Sequence, residues 1–388
     1  MYFVFVLLLA LLGNADAKFS VQDSISLGGG FDTNPLFLDG SSSMDYLVRV
    51  DPALDFIYDK SSFYTKIGGG LDYNKYFKNT NQSFFKWKFD SLVSIMPEES
   101  TTLDLVNNYD NNSDPVMMTT EDRAKWDLYT MKASLHYVTK SNLWKLDGNF
   151  ESYTRRYDLD AYQNFNNNKR YLSIQSKFYF FPETAFIFGY KGGYSAYTAG
   201  INARPYGNSD SVYNEGYIGL DGQITDNVEM FVKFGFLVLD YQYGTDFHEP
   251  VLEARVTNFL SKLSSLTANY ERMAYDSTYS NFYVDNRLAL EFKNIWYDNF
   301  VNLSTFQYIY RDYRIFPSRR DHRLAFITET SMPVFVMPSV KENISLFVRF
   351  MAEWVNSDAY NYFNLYVGPD PAASYKRFVL LVGLTTKY

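Results

Sequence analysis

The chain is 388 residues long, 19% aromatic with 35 Tyr and 34 Phe, devoid of Cys, and carries a formal charge of −8. The absence of Cys excludes a disulfide framework and a thiol nucleophile, and the acidic balance argues against a nucleic-acid partner. So many rings exceed the need of a soluble core, whereas Tyr and Trp suit a membrane–water boundary, with the ring buried and the polar tip wet.

At the N-terminus, Tyr2 to Leu12 is an apolar run, followed by Ala15 and Ala17 in an A-x-A arrangement. This pattern predicts a signal peptide over residues 1–17, cleaved before Lys18, and export by the general secretory route. The leader lacks Lys and Arg, and its apolar run is short for a membrane-spanning helix. Beyond residue 17 no run is long and apolar enough for such a helix.

From residue 18 onward the pattern has period two, so residues 18–388 are expected to form one β-barrel domain. Strands are predicted near 25, 51, 69, 89, 105, 131, 149, 175, 190, 217, 235, 254, 269, 288, 304, 325, 349 and 380. That is about 18 antiparallel strands, or about 21 residues per strand and connector, which fits long tilted strands. Sixteen is the alternative, because the segments near 105 and 254 alternate weakly.

The alternation separates two faces. Phe63, Thr65, Ile67, Gly69, Leu71 and Tyr73 oppose Tyr64, Lys66, Gly68, Gly70, Asp72 and Asn74. Ile344, Leu346, Val348, Phe350, Ala352 and Trp354 oppose Ser345, Arg349 and Glu353. One face suits lipid and the other water, as in an all-β, up-and-down transmembrane barrel. Connectors alternate too. Short turns such as Asp59-Lys60-Ser61, Pro97-Glu98-Glu99, Pro182-Glu183-Thr184 and Thr225-Asp226-Asn227 are interleaved with polar stretches at 32–43, 110–123, 158–168, 198–210, 243–248 and 357–372. Such barrels have short periplasmic turns and long outer loops, and an even strand number puts both termini in the periplasm. The connector Met332 to Asn343, with Pro333 and Pro338, is expected to pack as a small element of its own.

The last strand places Phe378, Leu380, Val382, Leu384 and Tyr388 on one face. It resembles the closing strand of bacterial outer-membrane barrels, whose assembly machinery recognises a terminal strand ending in an aromatic residue. Deleting Tyr388, or changing it to Asp, should therefore lower the yield of folded barrel in outer-membrane fractions. Heat-modifiable gel mobility reads this yield, and normal yield for both variants would discard the assembly role.

Turning the apolar face outward directs many charges inward. Arg49, Arg319, Arg323, Arg349 and Arg377 come from strands that closure makes near neighbours, with Asp51, Asp55 and Glu353 among the acids facing the same interior. A basic stripe on one wall opposite acidic residues would bias ion selectivity; the alternative is a structural charge ladder that stiffens the lumen.

Other motifs are weaker. Asp110, Asn112, Asp114 and Glu121 match positions of a calcium-loop pattern, but Pro115 stands where the sharp turn needs glycine. No resident metal or cofactor is expected. His136, His248 and His322 are far apart, without metal-ligand spacing, and no nucleophile–base set points to an enzyme. Ser26 to Asn34 resembles Lys66 to Asn74, and both contain three consecutive glycines. Glycine within a strand marks bending or close backbone approach; no helix pattern follows to make a phosphate loop.

The segment Leu27-Gly28-Gly29-Gly30-Phe31-Asp32-Thr33-Asn34-Pro35, with Tyr217 to Asn227, Phe234-Gly235-Phe236 and Tyr241, resembles the beta-barrel porin 2 family. The resemblance implies a Gram-negative outer-membrane barrel, and some members of that family are tied to capsule or exopolysaccharide export. It carries no catalytic motif. The expected function is a channel for polar solutes, with exopolysaccharide exit as its specific form. The alternatives are a general diffusion porin and a structural or adhesive barrel with a closed lumen. The implied partners are outer-membrane lipid and lipopolysaccharide, the barrel-assembly machinery and, for an exporter, periplasmic polysaccharide-export proteins.

Overall fold

A computed structural model describes residues 18–35, 44–98, 100–115, 123–158, 163, 166–198, 209–277, 281–296, 300–314, 319–337, 342–357 and 374–387. The expected leader (1–17), Glu121 and Tyr388 lie outside the described residues.

Alternating sequence becomes strand along nearly the whole described chain. The first nine strands are β1 (Lys18–Asp32), β2 (Asp45–Lys60), β3 (Phe63–Tyr76), β4 (Phe84–Glu98), β5 (Thr101–Pro115), β6 (Arg123–Val138), β7 (Trp144–Tyr157), β8 (Asn167–Phe181) and β9 (Thr184–Tyr197). The rest are β10 (Ser211–Thr225), β11 (Val228–Tyr241), β12 (Phe247–Ser261), β13 (Ser264–Asp276), β14 (Phe282–Trp296), β15 (Phe300–Tyr313), β16 (Arg319–Met337), β17 (Glu342–Ser357) and β18 (Tyr375–Lys387). A 3-10 turn covers Thr80–Gln82. Each strand pairs antiparallel with its sequence neighbours, and β18 pairs with β1 from Ser24↔Lys387 to Asp32↔Val379. The sheet is therefore a closed barrel of 18 strands, in which neither the first nor the last strand is left as an edge. Both weakly alternating segments are strands, β5 and β12, which excludes the sixteen-strand alternative.

The two faces follow the sequence phase. On β9, Phe186, Phe188 and Tyr190 are exposed on the outside, while Ala185 and Ile187 are buried on the inside. On β18, Val382 and Leu384 are exposed outward, and Phe378 packs edge-on against Trp354 of β17 with centroids 5.6 Å apart. The inner face is not uniformly polar: Leu47 and Leu381 are buried there together with Tyr76. Short turns such as Ser61-Ser62 and Asp226-Asn227 gather at one end of the barrel, and the longer connectors at the other.

Two expectations need correction. Residues 110–115 extend β5, where Asp110 pairs with Leu128 and Asn112 with Trp126 of β6. Alternate residues of an extended strand cannot wrap an ion as a calcium loop does. Nor is Met332 to Asn343 a separate element: β16 runs on to Met337 and pairs with β17 through an irregularity between Pro333 and Phe335. Pro333 supplies no N–H to the ladder, and the displaced register accommodates it.

Candidate functional site: the lumen wall and its seam

The lumen charges pair either with the neighbouring antiparallel strand or two residues along their own strand, where opposite charges on one face fall within reach of one another. Arg49 bonds to Asp51 at 3.0 Å and to Asp72 at 3.1 Å. Asp55 holds Lys66 at 3.0 Å, Arg323 pairs with buried Glu353, and Arg349 stands 4.0 Å from Glu329. The acids thus lie between the arginines of the same wall. The expected basic stripe facing an acidic one is not formed by these residues, since register brings each acid beside a base (Glu329↔Arg349, Glu353↔Arg377). The arginines differ in access to water: side chains of Arg323 and Arg349 are 46% and 40% exposed, whereas Arg319 is buried against Asp321.

The repeated glycine segment acquires a structural explanation. Each copy ends in Asp-x-Asn, and each Asp anchors an arginine of an adjacent strand: Asp32 takes Arg377 of β18, and Asp72 takes Arg49 of β2. Asp32 is fully buried and accepts from the Arg377 guanidinium at 2.6 Å and from the Tyr76 hydroxyl at 3.1 Å. Thr33 accepts from the Phe378 backbone N–H at 2.9 Å, and Asn34 donates to the Lys376 carbonyl at 3.1 Å. Asp32-Thr33-Asn34 therefore fastens the closing strand. At Gly30 the backbones come so close that a Cβ would collide with the Leu380 carbonyl.

A second cluster joins Arg319, expected in the lumen, to residues of β14 and β15 that the sequence did not bring together with it. Buried Asp285 on β14 accepts from Arg287 at 2.8 Å and from Arg311 of β15 at 2.9 Å. Arg311 lies 3.8 Å over the Tyr283 ring centroid, Arg287 4.3 Å over Tyr275 and Arg319 4.5 Å over Tyr313. Guanidinium–ring stacking holds these arginines flat against the wall. The sequence signal was the lumen-facing order Tyr283, Asp285, Arg287 on β14 against Arg311, Tyr313 on β15.

The wall also contains a seam. The β12–β13 ladder stops at Leu252↔Arg272, although β12 begins at Phe247 and β13 continues to Asp276. Pro250 lies in the unzipped stretch, where it offers no N–H to β13. Beyond this point the wall overlaps itself. Phe282 and Val284 occupy the outer face of β14, opposite to Asp285 and Arg287, yet they are 2% and 1% exposed. They cluster with Leu237 and Leu239 of β11 and Phe247 and Val251 of β12, which face inward. Tyr241 stacks on Phe282 at 5.7 Å, and Phe247 meets the same ring edge-on at 5.4 Å. The long-loop half of β13–β14 has thus folded inside, its outer face against the inner face of β11 and β12. It reaches further across the lumen. The Tyr197 hydroxyl of β9 donates to Asp276 at 2.8 Å, and Lys169 of β8 forms an ion pair with the same carboxylate. On the β12 side, Glu249 bonds Arg272 and also Arg314, the latter at 3.2 Å. The signal for this was β11 itself: Phe234 to Leu239 is apolar on both faces, as in a strand covered on both sides.

The histidines act locally. His136 lies between Asp104 at 3.4 Å and Asp147 at 2.5 Å, and His322 bonds the Tyr308 hydroxyl at 2.8 Å. The β11–β12 connection brings Asp240 and Asp246 to His248, all three exposed.

No family model matches the chain, and no curated protein matches it. Its fold is shared with solved structures at low sequence identity. Pseudomonas aeruginosa OccK7 (OpdD) superposes with a TM-score of 0.52 at 9% identity, covering 97% of this chain and 99% of that one. Acinetobacter baumannii OccAB4 gives 0.51 at 11% identity over 97% and 100% of the two chains. Pseudomonas aeruginosa OpdQ gives 0.50 at 10% identity over 95% and 97%. The likeness spans whole chains, so the barrel is similar to theirs as a complete fold.

Proposed function

We propose that this chain is an outer-membrane channel for polar solutes. The observation that carries the reading is the access of Arg323 and Arg349 to water although both face the interior of a closed barrel. An 18-strand barrel is wide enough for an aqueous path. The exposed outer rings on β9 and the exposed Val382 and Leu384 on β18 support placement in lipid, and the pattern of short turns and long connectors supports the outer membrane of a Gram-negative bacterium. The more specific reading, exit of an exopolysaccharide, draws on the resemblance of the Leu27 to Pro35 segment. A closed structural barrel is favoured by one feature, the infolded half of β13–β14.

Planar-bilayer recordings test the channel reading. The paired charges predict weak ion selectivity in the wild type. Arg349→Glu combined with Arg323→Gln should shift the reversal potential in a salt gradient toward cations, because charges near water in a narrow low-dielectric path bias ion flux. Arg377 is a poor choice for this test, since it anchors buried Asp32. A wild type without measurable conductance would reject the channel; an unchanged reversal potential would assign these arginines to the structural ladder.

A further inference from the structure

We infer that the long-loop half of the β13–β14 hairpin is a gate, which narrows the lumen by folding inward through the β12–β13 seam and widens it by zipping that seam closed. The inference rests on the channel reading above. Its basis is that the hairpin has two suitable places to lie. In the infolded state, Ala274, Phe282 and Val284 cover the inward-facing Leu237, Leu239, Phe247 and Val251, and Asp276 latches onto Tyr197 and Lys169. In the zipped state, the ladder ending at Leu252↔Arg272 would continue in the same register. Val251 would face Met273, Pro250 would face Ala274, Glu249 would face Tyr275, and His248 would face Asp276. That pairing satisfies the strand edges that the seam leaves unpaired, and it sets a histidine opposite an aspartate. It also turns Ala274, Phe282 and Val284 outward, where lipid suits their apolar side chains, with Asp276 and His248 paired at the loop end of the same face.

Two packings of one segment, each consistent with its pattern, make a bistable element. The resting preference follows from the apolar inner face of β11 and β12, which zipping would uncover to lumen water. Opening would also break the Asp276 latch. Both changes happen on the lumen side, where a solute could act on them.

The lack of Cys makes the test clean. In the infolded state Pro250 faces outward, while Ala274 lies against the opposite, inner side of β12, so cysteines at these positions cannot meet. In the zipped state they would be directly opposed, with Cα atoms about 4.5–5.5 Å apart, within disulfide reach. The expected result for Pro250→Cys/Ala274→Cys is a disulfide under oxidising conditions, seen on a non-reducing gel, with several-fold higher conductance that reductant reverses. Asp276→Asn should lengthen open dwell times. Two results would overturn the gate: no crosslink in a barrel that keeps heat-modifiable mobility, or a crosslink with unchanged conductance. Should that pair prevent folding, Phe247→Cys/Phe282→Cys bridged by a short bifunctional thiol reagent decides the matter. Locking the hairpin inside should abolish opening, and unaltered gating would refute the proposal. A wild type without conductance would remove the channel reading alone, because the crosslink still reports on a gel whether the hairpin moves.

Discussion

Replacing Asp32 with alanine should destabilise the barrel by about 3–5 kcal/mol, the usual consequence of removing one partner of a buried ion pair. The carboxylate is fully buried, and its guanidinium partner, Arg377, arrives from the last strand. Removing the carboxylate takes away the acceptor of the Arg377 guanidinium's hydrogen bonds and also leaves the Tyr76 hydroxyl without this acceptor. The effect should fall on closure of the β1–β18 ladder, so unfolding in denaturant from lipid vesicles should show an earlier midpoint. Converting both residues, Asp32→Leu with Arg377→Met, should recover most of the loss, because the desolvation of both charges disappears together. A neutral Asp32→Ala variant would mean that the hydrogen bonds of Thr33 and Asn34 close the barrel by themselves.

An arginine at Val348 should cost about 2–4 kcal/mol if the position lies near the bilayer midplane. Val348 is exposed on the outer face of β17, between Thr330 of β16 and Val382 of β18. A guanidinium there would have to reach an interface or draw water into hydrocarbon. The matching change on the inner face, Arg349→Ala, should be much milder, because that side chain is partly hydrated and stands 4.0 Å from Glu329. Vesicle-based unfolding measures both. Equal costs for the two would mean that the in/out phase of β17 is wrong.

Much of the fold was legible from residue order. Period two fixes which residues share a face, and turn residues punctuate the strands. Hence the approximate centres of all 18 strands, the outward face of β17 and the inward direction of Arg49, Arg323, Arg349 and Arg377 were readable. The charge pairing was only half legible. Asp55 and Lys66 meet across adjacent strands, β2 and β3, so their register could be counted from the short turn between them. Asp32 and Arg377 meet only when the first and last strands pair, and nothing local in either strand names its partner.

By itself, then, the sequence determined that this chain forms a wall: roughly where its strands lie, where they turn, and which side of each is apolar, with the choice between 18 and 16 strands left to the structure. It did so because strand alternation is a local property, set by a backbone that points successive side chains to opposite faces. Only the tertiary structure decided what each face touches. Ala274, Phe282 and Val284 are an apolar face whether lipid or the inner side of β11 and β12 covers them. The choice between those neighbours depends on where the β12–β13 ladder stops, on an apolar inner face distant in sequence, and on Asp276 reaching Tyr197 and Lys169 across the lumen. These are long-range contacts, and a period-two pattern carries no record of them.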